Sequence, residues 1–139
     1  MAAHRRSGNV KTWRMLAACA ATMLVAGAAW AHHSFAAFFD PDRMVTVTGK
    51  VTRFAFTNPH GMIVLVGRAG KEPEQEWRAE TNAPVVLLRR GWTRDIIKPG
   101  ETVTIEGWPA RDGKPYLRLR RALRADGSPI GVPFGQGDS

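Results

Sequence analysis

Apolar residues follow two different patterns along the chain. From Met15 to Ala29 nearly every position is apolar, whereas after Met44 apolar and polar residues alternate in short runs broken by turns. Val45, Val47, Gly49 and Val51 alternate with Thr46, Thr48, Lys50 and Thr52, the period of a strand with one buried face. The phase slips near Arg53, where Phe54 and Phe56 continue the opposite face, and an internal glycine with a phase slip predicts a bend or bulge. Thr57-Asn58-Pro59-His60-Gly61 is a turn, Met62 to Val66 reads as a buried strand, and Gly67 to Pro73 forms a second turn. A third strand follows at Gln75–Glu80, carrying Trp77.

One segment has helical character. Asn82 is a candidate cap, Pro84 suits a first turn, Val85 to Arg90 supply the body, and Gly91 stops it. Trp92 to Ile97 adds a short turn before Lys98-Pro99-Gly100 breaks the chain. Val103, Ile105 and Gly107 then alternate with Thr102, Thr104 and Glu106, and Tyr116 to Leu123 follows the Asp112-Gly113 turn as a fifth strand. Five strands with one short helix between the third and fourth is the order of a small OB-like barrel, which also leaves few open sheet edges. A sandwich or an open five-stranded sheet is the alternative. The Gly-, Pro- and Ser-containing stretch 126–139 is expected to be a flexible tail.

Charge and composition alter this picture at the N-terminus. Arg5, Arg6, Lys11 and Arg14 precede the apolar run, and Ala29-Trp30-Ala31 offers small residues where a signal peptidase would cut, so 1–31 is expected to be a signal peptide. The run is short for a membrane span, which leaves an N-terminal anchor as the weaker reading. Leu16-Ala17-Ala18-Cys19 lacks the hydrophobic stretch a lipoprotein signal needs. Removing 1–31 would lower the formal charge of +8 by four and remove Cys19, the chain's one cysteine. The exported domain, 32–125, would then carry no thiol and no stable membrane anchor. Its location would be the periplasm or the cell exterior, where nucleic acid is not an expected partner.

The candidate chemistry lies in three histidines. A mature chain starting at His32 would present a free amine beside an imidazole, two donors able to close a chelate ring on one metal ion. His60 in its turn is the candidate third nitrogen donor and His33 a further one. Such nitrogen ligation in tetragonal geometry suits Cu(II). The competing reading is that the terminal pair binds metals adventitiously while His60 serves its own turn. Ser34 lacks the glycine pattern of a nucleophile elbow, Asp40 and Asp42 flank Pro41 as a turn, and no phosphate loop or dinucleotide fingerprint is present.

Arg89, Arg90, Trp92 and Arg94 form a second candidate, a surface where a guanidinium stacked on an indole would hold a protein or small-molecule ligand. Arg118, Arg120 and Arg124, set between Leu117, Leu119 and Leu123, read as the solvent side of an amphipathic strand. Phe35, Phe38, Phe39, Phe54, Phe56, Trp77 and Trp108 are expected in the core.

His32-His33-Ser34-Phe35, Phe39-Asp40, Thr57-Asn58-Pro59-His60 and Leu88-Arg89-Arg90-Gly91-Trp92-Thr93-Arg94 together resemble an uncharacterised family of small exported bacterial proteins, over 32–123. The resemblance implies a secreted single domain with no assigned activity or catalytic residue. It departs at Gly61, where a larger residue is expected. Three functions therefore stand: copper binding through His32, His33 and His60, a metal-free interaction or small-ligand module, and a copper-dependent oxidoreductase. Between the first and the third, copper handling is favoured over oxidative turnover because no substrate groove is legible.

Overall fold

The computed structural model describes residues 35–138; the candidate ligands His32 and His33 and the expected signal peptide lie outside them. The described residues form six strands: β1 (Val45–Ala55), β2 (Met62–Ala69), β3 (Gln75–Glu80), β4 (Thr102–Pro109), β5 (Tyr116–Arg124) and the two-residue β6 (Pro129–Ile130). A single helix, α1 (Pro84–Arg89), lies between β3 and β4. The sheet runs β3-β2-β1-β4-β5-β6, and a parallel pairing of β3 with β5 closes the first five strands into a barrel. This is the OB-like arrangement that the element order predicts.

β1 is long enough to pair with β2 over most of its length and with β4 over Val45–Lys50. Its register against β2 shifts between Val51 and Arg53, where the phase slip in the sequence falls. Thr52, the extra residue, donates its hydroxyl to the Val64 carbonyl at 3.1 Å and so stabilises the bulge. Gly49 and Gly67 are register partners in β1 and β2. A Cβ on either would fall 2.6 Å from the Cα of the other, so both strands need glycine at this close approach.

The inward faces of β1 to β5 fill the barrel with Val47, Val51, Ile63, Leu65, Trp77, Ala79, Val103, Ile105, Leu117 and Leu119. Leu87 of α1 is fully buried and joins the same core cluster. The helix starts at Ala83 without a side-chain cap, which corrects the assignment of Asn82 as cap. Asn82 is fully buried, and its amide donates instead to the Asp138 carbonyl. Gly91 ends the helix at φ 79°, a conformation that favours glycine.

Two further expectations are corrected. The stretch expected to be a flexible tail packs onto the barrel: Pro129 and Ile130 pair with β5, and Phe134 is 3% exposed with its ring 5.9 Å from that of Trp92. Ile130 and Phe134 bury enough apolar surface to hold this glycine-rich strap in place. Phe38 is 70% exposed rather than core. Its neighbours Phe35 and Phe39, in a helical turn over 35–38 and the bridge that follows, join Trp108 and Tyr116 in a second aromatic cluster on the outer wall.

Candidate functional site

The three residue pairs that close the barrel, Arg78↔Tyr116, Ala79↔Leu117 and Glu80↔Arg118, also assemble its principal polar cluster. Alternation sends Ala79 and Leu117 inward and leaves Glu80, Tyr116 and Arg118 together on the outer wall. Glu80 accepts from three donors. Arg118 Nη1 lies 2.7 Å from Oε1, the Tyr116 hydroxyl donates to Oε2, and His60 Nδ1 lies 2.6 Å from Oε1.

Arg118 is 6% exposed, which corrects its placement on a solvent face. Besides Glu80, its guanidinium donates to the carbonyls of Thr81 at 2.9 Å and Asp138 at 3.2 Å. Burying an arginine is tolerable only with such a set of partners, and the strap supplies one of them. Arg120 and Arg121 share the carboxylate of Glu106 at 2.9 and 2.8 Å, so the arginine stripe is used within the fold as well as at its surface.

The loop joining β1 to β2 brings His60 to this cluster. Its Asn58–Pro59 peptide is cis, and Gly61 is held by hydrogen bonds to and from Asn82 and Thr81. The expectation of a larger residue at 61 fails on sterics: a Cβ there would lie 2.5 Å from Thr81 Oγ1 and 2.8 Å from the Ala55 carbonyl. The His60 side chain is 41% exposed, and among the described residues no group meets its Nε2. A histidine held at Nδ1 by a carboxylate presents Nε2 as an oriented lone pair, the usual condition of an imidazole ligand. Among the described residues no three His, Cys, Asp or Glu side chains converge on a common point, so further donors would have to come from elsewhere.

The Tyr116 phenol is pushed well above its ordinary pKa of 10.0, first by burial and then by its bond to Glu80. It therefore remains a neutral donor to the carboxylate throughout the physiological range. Its ring sits 5.5 Å from that of Phe39, which places the N-terminal aromatic turn beside the cluster.

Arg89, Arg90, Trp92 and Arg94 do not form one surface. Arg89 is exposed, whereas Arg90 donates to the Pro133 carbonyl, pairs with Asp138 at 2.6 Å and lies over Phe134. Trp92 is 1% exposed within the core, and Arg94 lies over Phe56 rather than over the indole. The expected stacked guanidinium exists, but on phenylalanines. The sequence carries no signal for Glu80 or Tyr116 in this role, and for Arg118 only that of an arginine between two core leucines.

A closed five-stranded barrel with a histidine-bearing polar cluster on its closing seam is the class that fold and site define. A family model described as a family of unknown function (DUF6152) matches residues 21–117, and the chain belongs to that family. No curated protein matches the chain.

Proposed function

We propose that this protein is an exported β-barrel that binds copper, with His60 as one ligand and the N-terminal histidines His32 and His33 as the others. The observation that carries the reading is the 2.6 Å contact between His60 Nδ1 and Glu80, which fixes the ring and leaves Nε2 exposed. Nitrogen donors without thiolates favour Cu(II) over softer ions. Phe35 and Phe39 pack against Trp108 and Tyr116, and Tyr116 donates to the same carboxylate that orients His60. Export would supply the free α-amine at His32, and the role is copper binding or delivery rather than turnover.

The test uses protein exported with its own signal. Its N-terminal mass is determined, and Cu(II) is titrated with electron paramagnetic resonance as the readout, with His60→Ala as control. One nitrogen-rich copper per chain on a protein starting at His32, changed in the variant, is the expected result. Weak multi-site binding indifferent to His60 would leave a metal-free binding module as the better account.

A further inference from the structure

A cavity of about 720 Å³ opens on the outer wall of the barrel, where β2 and β3 meet the N-terminal helical turn and the β4–β5 hairpin. That volume suits a small organic ligand. Phe38, Met62, Pro115 and the ring of Tyr116 supply its apolar surface, and Phe38 is the most exposed large apolar side chain among the described residues.

The charged residues around this cavity are not equivalent. Arg78 donates through Nε and Nη2 to Glu76 Oε1 at 3.3 and 3.2 Å, and Lys114 pairs with Asp112 at 2.7 Å. Each of these cations already has its anion. Arg111 donates through Nε to the Ala36 carbonyl at 2.7 Å, and among the described residues no carboxylate meets its Nη1 or Nη2. The cavity thus combines an apolar wall with one guanidinium whose two outer donors meet no carboxylate among the described residues.

We infer that this cavity binds a small amphipathic carboxylate, its anion on Arg111 Nη1 and Nη2 and its hydrocarbon part against Phe38 and Met62. The planar pair of N–H donors matches a carboxylate. Among the described residues one lining cation lacks a carboxylate partner, which matches one negative charge and argues against a nucleotide or other polyanion. Covering Phe38 removes from water an aromatic face that the fold itself leaves bare. Of the cluster residues His60, Glu80, Tyr116 and Arg118, Tyr116 alone lines the cavity.

Calorimetry on protein produced from the full coding sequence tests this with three probes of one skeleton: 4-phenylbutyrate, 4-phenylbutanol and 4-phenylbutylammonium. The carboxylate is expected to bind once per chain, at least about tenfold tighter than the alcohol or the ammonium. Arg111→Met should erase that preference. Arg111 also fastens the N-terminal turn, so Phe38→Glu provides an independent arm: it alters a solvent-facing residue and sets a carboxylate beside the anion site. It should weaken 4-phenylbutyrate by about tenfold or more with an unchanged circular dichroism spectrum. Equal affinity for the three probes, absence of binding at millimolar concentration, or 4-phenylbutyrate binding indifferent to Phe38→Glu would overturn the inference.

Discussion

His60 Nδ1 and Arg118 Nη1 approach the same oxygen of Glu80, at 2.6 and 2.7 Å, so one carboxylate both orients an exposed imidazole and compensates a buried guanidinium. Glu80→Gln separates these roles. On the proposed copper site, affinity should fall by about 10- to 100-fold, because the ring exchanges an anionic acceptor for a weaker, neutral amide oxygen. Stability should drop by about 3–5 kcal/mol, because Arg118 is left buried without its counter-charge. Adding Arg118→Met should restore much of the stability in urea denaturation but none of the copper affinity. Recovery of both together would mean that the histidine contact is incidental.

Tyr116 is the chain's one tyrosine, so phenolate absorbance reports on it alone. Its raised pKa predicts that the native protein ionises only well above pH 10.0, while the unfolded chain ionises near that value. The native state then holds a proton that the unfolded state releases. The corresponding stabilisation is fully present below about pH 10 and declines as pH rises above it. A spectrophotometric titration in native buffer and in denaturant checks this. Coincident curves would mean that the phenol neither is buried nor donates to Glu80.

The C-terminal strap should behave as part of the core. Phe134→Ala is expected to destabilise the protein by about 3–5 kcal/mol, a large fraction of a small domain's stability. A loss below about 0.5 kcal/mol in a urea melt would show that the ring is not packed against Trp92 in solution.

Where β1 and β2 approach at their paired glycines, Gly49→Ala and Gly67→Ala should each cost about 1–3 kcal/mol, since a Cβ at either position would lie only 2.6 Å from the other residue's Cα and the strands must part. Gly70→Ala is the contrast: no atom crowds its Cβ position, so its smaller effect reflects only the positive φ of 57°. Thermal denaturation of the three variants ranks them. Equal losses at all three positions would remove the steric account.

Strands, turns and helix were legible because each follows from local patterning. The valine–threonine alternation gives β1, the slip at Arg53 gives its bulge, and Pro84 with Gly91 brackets α1. His60 was legible as a chemically capable residue in a turn. Its partners were not, because Glu80 meets Tyr116 and Arg118 only through a parallel pairing of strands distant in sequence. Alternation assigned Arg118 to the outer face correctly, yet it carries no information that a strap 20 residues later covers that face. Asn82 and Trp92 were misplaced for a similar reason. Capping propensity and aromatic–cation proximity are local arguments, and the competing partners Asp138 and Phe134 arrive from the far end of the chain.

Closure of the barrel by only three residue pairs gives the seam a kinetic character of its own. The seam is the thinnest hydrogen-bonded join in the wall, and the amide of Arg78, donating to Pro115 at 3.0 Å, lies at one end of it. When the join opens, Glu80 and Tyr116 part with their strands, so the cluster exists only in the closed barrel. Anything that engages the cluster therefore acts as a latch on the fold. Its arrival should register first as slowed hydrogen exchange at the seam amides, ahead of any change in β1 or β2.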